Sequence, residues 1–220
     1  MLCAISRRVV RFLKRILLRI RPGLLEIAMN VPGYSDESRE IAFRYLLIKH
    51  KPKPKRVLIV GVYFGRDIVM MSYIMKDGII VGVDKFSDDF CDDWPEDLRD
   101  KNWGDAGFGR APALASAQRY VQRWAHKEVR IHLIRQRDED YLSSCQEKFD
   151  MIYLDTSHDE MTVTRQIRQA IPLLEEGGIL VGDDFGDVDT WGVKLAVEKC
   201  LVQYEVLSGT VWYSVSPKLT

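Results

Sequence analysis

FDMIYLDTSHDEMTVTRQIRQAIPLLEEGGILVGDDF, residues Phe149–Phe185, is the stretch whose reading decides the fold. Met151–Leu154 is a short apolar run stopped by Asp155, and Gly178–Val181 is a second run stopped by Asp183 and Asp184. Continuous apolar runs of this length, without polar alternation, are those of strands buried on both faces. Between them Ile167, Ala170, Ile171 and Leu174 recur at helical spacing, and the pattern ends at Gly177–Gly178. Strand, helix and strand therefore form one parallel unit. In an open parallel sheet ligands collect beyond the carboxyl ends of the strands. Asp155, His158, Asp183 and Asp184 are expected to converge on one cleft there.

The same alternation extends in both directions. Upstream, strands are expected at Val57–Val60, Ile79–Val83 and Val129–Ile134, with a helix at Asp67–Met75. Downstream, helices are expected at Glu160–Leu174 and Trp191–Cys200. Two β-rich runs, Tyr204–Leu207 and Val211–Val215, then flank Ser208–Gly209 as a hairpin. The fold class is α/β: a doubly wound, mostly parallel sheet of seven strands closed by an antiparallel C-terminal hairpin. A chain of 220 residues provides one such domain and a short extension. Its expected start is a helix over Ser35–His50 capped by Ser35 or Asp36, joined to the first strand by the KPKPKR linker at Lys51–Arg56.

Residues 1–34 form the extension and residues 35–220 the domain. Within 1–22, seven basic residues from Arg7 to Arg21 stand among Val9, Phe12, Leu13, Ile16, Leu17 and Ile20, with no acid before Glu26. This is a basic amphipathic helix, too short and too charged to span a bilayer. A peripheral contact with an anionic membrane and packing on the domain or on a second copy, giving a homo-oligomer, are equally compatible with it. Residues 86–112 are acidic and rich in aromatics, including Trp94, Trp103 and Phe108. They suit a lid over an acceptor pocket or a surface loop pinned by its aromatic residues.

Composition excludes more than it assigns. With 32 basic and 32 acidic side chains the net charge is zero, which favours no nucleic-acid partner. Cys3, Cys91, Cys145 and Cys200 are widely separated, without zinc-site or disulfide spacing. A reducing cytoplasmic setting is the expectation.

Val57–Val69, VLIVGVYFGRDIV, is a buried strand followed by a turn with Gly61 and Gly65 and the start of a helix. Such a turn lets the backbone approach a ligand and offers helix N–H groups to it, and it equally serves as a plain strand-to-helix connection. The spacing Gly-x-x-x-Gly lacks the third glycine of a dinucleotide fingerprint, which counts against a nucleotide-dependent oxidoreductase. Asp84, at the end of the next strand, stands where a carboxylate accepts ribose hydroxyls, or where a strand-end acid is solvated or caps a helix. Asp138, within Gln136–Asp138, falls where an adenine ring would be edged.

Over roughly Arg56 to Ser216 these residues resemble the class I S-adenosylmethionine-dependent methyltransferases. LDTSHDE followed by LLEEGGILVGDDF is similar to the small metal-dependent O-methyltransferases of sugars and macrolides and to their cephalosporin-hydroxylase-like relatives. The resemblance implies a Rossmann-like sheet and S-adenosylmethionine bound by Gly61, Tyr63, Gly65, Asp84 and Asp138. It implies Mg²⁺ or a similar cation on Asp155, Asp183 and Asp184, with Asp155 and His158 catalytic and His158 as base. The implied acceptor is a hydroxylated small molecule, saccharide or glycosylated. Three carboxylates suit a hard cation of this kind. One position departs from the pattern: an acid expected two places before the first glycine, where it helps hold the methionine part of the cofactor, is Ile59. A catalytically inactive adaptor of the same fold, docking through its basic helix, is the alternative that Ile59 favours.

Overall fold

The computed structural model describes residues 23–86, 112–186, 191–207 and 209–220. The basic segment 1–22 lies outside them, as does nearly all of the 86–112 insertion. In chain order the elements are α1 (Gly23–Ala28), α2 (Glu37–Lys49), β1 (Arg56–Val60), α3 (Arg66–Met75), β2 (Gly78–Asp84) and α4 (Leu114–Trp124). They continue with β3 (Val129–Arg135), α5 (Asp138–Ser144), β4 (Phe149–Leu154), α6 (Glu160–Ala170), β5 (Leu174–Gly182), α7 (Val193–Cys200), β6 (Glu205–Val206) and β7 (Trp212–Val215). The sheet has seven strands in the order β3-β2-β1-β4-β5-β7-β6. β1 to β5 pair in parallel, and β7 runs antiparallel to both β5 and β6. This is the expected Rossmann-like architecture with its terminal hairpin.

Period-two alternation along the strands splits the core into two layers. Val57, Ile59, Met151, Tyr153, Ile179, Val181 and Tyr213 face one side, where α1 to α4 contribute Leu24, Ala28, Phe43, Leu46, Ile68, Met71 and Ala117. Leu58, Val60, Ile152, Leu154, Leu180 and Trp212 face the other, against Leu142 of α5, Val163 and Ile167 of α6, and Ala196 and Val197 of α7. Helices on both faces are what a doubly wound sheet requires.

Local chemistry sets the element ends. Asp36 caps α2, accepting from the Ser38 and Arg39 amides at 2.8 and 3.3 Å. Asp159 caps α6 through the Thr162 amide at 2.9 Å. The helix expected to run to Leu174 stops at Ala170 and turns through a 3-10 segment, Ile171–Leu173. Pro172 causes this, because its ring clashes with the preceding helical turn and it has no N–H to donate. The strand expected at its far end is accordingly longer. Leu174 pairs with Phe149, and the register then shifts before Met151 meets Ile179. Helices α1, α4 and α5 are additional to the expected elements. Among the described residues no helix is long and apolar enough to cross a membrane.

Hydrogen bonding of the sheet continues one residue past each strand. Gly61 N–H donates to Val83 O at 2.9 Å, Asp155 N–H to Val60 O at 2.9 Å and Asp183 N–H to Leu154 O at 3.3 Å. Asp84, Gly61, Asp155 and Asp183 therefore form a row along the carboxyl edge of four adjacent strands.

Candidate functional site

The glycine turn is built for close approach. Gly61 has φ +95°, and a Cβ there would overlap the carbonyl oxygen of Asp155. The turn after β1 is thus in direct backbone contact with the turn after β4. Gly65, at φ +92°, starts α3, and Tyr63 between them adopts the left-handed φ of 52°. Tyr63 stacks on Tyr34 with ring centroids 6.0 Å apart and meets Phe64 edge-on at 4.9 Å.

Asp84 sets the shape of this turn. Its Oδ2 accepts from the Val62 and Tyr63 amides, both at 2.9 Å, and its Oδ1 from the Phe86 amide at 3.0 Å. The carboxylate ties β2 to the backbone between the two glycines. Asp138, at the start of α5, accepts from the Gln166 side-chain amide, which also reaches Thr156 Oγ1 at 2.5 Å. Gln166 is buried, so α6 fixes the Asp138 side chain.

The acids converge as the sequence implied. Ligand oxygens of Asp155, Asp183 and Asp184 lie within 4.8 Å of one another. Asp184 takes φ 63°, tolerable for Asp, and directs its Oδ2 to His158 Nε2 at 2.8 Å. The His158 ring stacks on Trp191 at 3.7 Å with an interplanar angle of 14°. Asp159, and not His158, caps the helix that follows. Asp183 is held from behind by the Thr210 hydroxyl, which donates to its Oδ1 at 2.5 Å, and its carbonyl accepts from Trp212 Nε1 at 3.2 Å.

Arg39, which the sequence did not single out, reaches this cluster from α2. Its Nη1 lies 2.8 Å from Asp67 Oδ2 and 2.8 Å from Asp155 Oδ2, and its Nη2 pairs with Asp183 Oδ2. Ser35 Oγ accepts from the same Nη1 at 3.2 Å. Burial alone would favour the neutral guanidine, but Asp67 and Asp155 hold it firmly charged. The Tyr153 hydroxyl donates to Asp155 Oδ2 at 3.2 Å, and burial above all keeps that phenol protonated. Even with these partners, burial pushes the Asp155 carboxyl up to about 6; Arg39 opposes that rise, and Asp184 and Asp67 add to it. Among the described residues the Arg39 guanidinium is shared by Asp67, Asp155 and Asp183, while Asp184 pairs with His158. The donors are all hard oxygens, so the site fits a Mg²⁺-like ion.

Ile59 is fully buried in the apolar layer beneath α2. No described acid stands in its place on β1.

A family model described as a methyltransferase domain matches residues 58–185. No curated protein matches the sequence. Among solved structures, the O-methyltransferase NovP superposes with a TM-score of 0.62 at 13% identity, covering 93% of this chain and 100% of its own. The S-adenosylhomocysteine-bound methyltransferase PaMTH1 of Podospora anserina gives 0.60 at 13% identity over 99% of both chains. An O-methyltransferase of Bacillus cereus, also bound to S-adenosylhomocysteine, gives 0.55 at 14% identity, over 94% of this chain and 97% of that one. The family model spans more than half of the chain, and the chain belongs to the methyltransferase-domain family.

Proposed function

We propose that this protein is an S-adenosylmethionine-dependent O-methyltransferase, assisted by Mg²⁺ or a similar cation, acting on a hydroxyl of a sugar-containing or otherwise hydroxylated small molecule. The observation that carries the reading is the joining of the acid cluster to His158 through Asp184, one strand away from the glycine turn. Asp155, Asp183 and Asp184 would hold the cation. When bound, the sulfonium cofactor supplies an electrophilic methyl group and the cation lowers the pKa of a coordinated hydroxyl. Methyl transfer is an in-line displacement, so the protein's task is largely to orient the reactants.

The chain's own residues divide that task. Gly61, Tyr63, Gly65, Asp84 and Asp138 form the cofactor side, where Asp84 keeps the turn in shape and Gln166 keeps Asp138 in place. His158 accepts the acceptor's proton. Asp184 orients the imidazole and balances the charge it gains, and a carboxylate has a second oxygen for a cation. Trp191 fixes the plane of the ring. The Arg39 guanidinium holds Asp155 and Asp183 in one arrangement before any ligand arrives.

The cluster supports a polyhydroxylated acceptor, because vicinal hydroxyls are bidentate oxygen donors to a hard cation. For residues 1–22 the reading keeps two alternatives, contact with an anionic membrane or packing of the apolar stripe on the domain or on a second copy. The test is isotopically labelled methyl transfer from S-adenosylmethionine to a panel of glycosides and polyols, with Mg²⁺ or with EDTA. Mg²⁺-dependent labelling of a hydroxyl is expected. Full turnover in EDTA refutes the metal role, and absence of S-adenosylmethionine binding by calorimetry refutes the whole reading.

A further inference from the structure

Arg39 and a divalent cation compete for the same oxygens. Of the three carboxylates suited to an ion, Asp155 and Asp183 already accept from this guanidinium, Asp155 Oδ2 at 2.8 Å from Nη1 and Asp183 Oδ2 from Nη2. Other donors occupy the same groups. Asp155 Oδ2 also accepts from the Tyr153 hydroxyl at 3.2 Å, and Asp183 Oδ1 accepts from Thr210 at 2.5 Å. A carboxylate oxygen has two lone pairs, so Asp155 Oδ2 is saturated while Arg39 stands there. An ion held about 2.1 Å from either Oδ2 would lie within roughly 5 Å of the guanidinium nitrogens. These side chains are largely buried, and little solvent screens the repulsion between two cations at that range.

Arg39 has a second seat. Its Nη1 also lies 2.8 Å from Asp67 Oδ2 and 3.2 Å from Ser35 Oγ, and neither group belongs to the acid cluster that suits an ion. Asp67 Oδ1 is buried and accepts no hydrogen bond among the described residues. That atom is closed to solvent, yet it belongs to a carboxylate the guanidinium already touches. A guanidinium that releases Asp155 and Asp183 keeps Asp67 and can complete a two-pronged pair with it, the geometry that the planar fork of arginine favours. Withdrawal toward α3 therefore leaves no buried charge without a partner: the ion takes over Asp155 and Asp183, and Arg39 stays with Asp67.

Resting on the cation-assisted methyltransferase reading, we infer that Arg39 is the residue that sets the cation affinity of the site. Its guanidinium is a built-in competitor for Asp155 and Asp183, and divalent-cation binding is coupled to its retreat onto Asp67 and Ser35. Arg39 keeps the acids paired when no ion is bound, and that pairing weakens their hold on an ion.

Two measurements on the full chain test this, with Mn²⁺ as the probe ion and Mg²⁺ as its competitor. The electron paramagnetic resonance signal of free Mn²⁺ reads the affinity. Arg39→Met is expected to bind Mn²⁺ about ten- to a hundredfold more tightly than the wild type, because the competing charge is gone. Equal or weaker binding by Arg39→Met, or by Arg39→Gln should the first variant not fold, overturns the inference. An arginine that only held the acids in place would cost affinity when removed, so the direction of the change separates the two roles. The second measurement needs no variant. NMR of nitrogen-isotope-labelled wild type follows the Arg39 guanidinium N–H signals as Mg²⁺ is added, and they are expected to shift in step with occupancy. Signals unchanged at saturating Mg²⁺ overturn the inference. Protein that binds neither ion, with or without Arg39, refutes the cation reading and this inference together, whereas binding that is indifferent to Arg39 refutes the inference alone.

Discussion

Replacing Arg39 by methionine tests the electrostatic design of the site most directly. The substitution preserves much of the unbranched stem and removes the guanidinium, leaving Asp67, Asp155 and Asp183 without their shared cation. The Arg39 side chain is 14% exposed, and its partners are 10%, 23% and 3% exposed. Solvent therefore compensates little. Breaking a buried pair by removing one member costs on the order of 3–5 kcal/mol. With urea m-values of about 1–3 kcal/mol per molar, the midpoint should fall by roughly 1–5 M at pH 8. The loss should depend on pH, and its sign follows from Asp155. In the wild type that carboxyl is already raised to about 6 by burial, so the folded state holds a proton that the unfolded state releases near 4. Stability from this group is present below the unfolded value and declines as pH rises through the folded one. Loss of Arg39 raises the folded value further, so the penalty of Arg39→Met should be larger at pH 8 than at pH 5. Added Mg²⁺ should recover part of it, since an ion that binds only the folded state stabilises it by mass action. Urea titrations at both pH values, with and without Mg²⁺, decide the matter. A variant within about 1 kcal/mol of wild type at pH 8, or a penalty equal at both pH values, refutes the argument.

Gly61→Ala should destabilise more than Gly65→Ala. Both glycines have positive φ, costing an alanine about 1–2 kcal/mol, but the first Cβ meets the Asp155 backbone and the second a single Val121 side-chain methyl. Thermal unfolding of the two variants compares them. Trp191→Leu removes the ring stacked on His158 and should lower kcat on the order of ten- to a hundredfold while S-adenosylhomocysteine affinity, measured by calorimetry, stays unchanged. Asp36→Ala removes the cap of the helix that carries Arg39 and should cost about 1 kcal/mol in urea unfolding at pH 7. Burial alone would raise the Asp36 carboxyl, but hydrogen bonds from Ser38 and Arg39 outweigh it and the group sits below its usual value. Its contribution is present above the unfolded pKa and disappears as pH falls through the folded one, so variant and wild type should converge in acid.

The edge of the sheet was legible because strand-end acids interrupt apolar runs. Asp155, Asp183 and Asp184 announce themselves locally, and the mostly parallel seven-stranded sheet follows from strands alternating with helices. Arg39 was not legible. It lies 116 residues from Asp155, and an arginine on a helix has no local signature that separates a buried counter-charge from a solvated one. The available clue was indirect: three acids expected at one place require a cation. Asp67 likewise reads as an ordinary favourable acid in a first helical turn. Trp191 was expected to begin a helix, and nothing local marks its stacking on His158. Helix α4 carries Leu114, Ala117, Val121 and Trp124 at three- and four-residue intervals, a signal overshadowed by the irregular segment just before it. The helix expected to reach Leu174 yields to Pro172, whose backbone geometry outranks the apolar periodicity.

The segment matched by the family model begins at residue 58, nineteen positions after Arg39. The recognisable module is therefore not electrically self-sufficient. A fragment cut to the matched boundaries would keep Asp67, Asp155, Asp183 and Asp184 and discard the cation they share. Grafting this acceptor site onto another methyltransferase would require helix α2 to travel with it, and trimming the chain from its N-terminal side should fail at α2 well before any strand is touched.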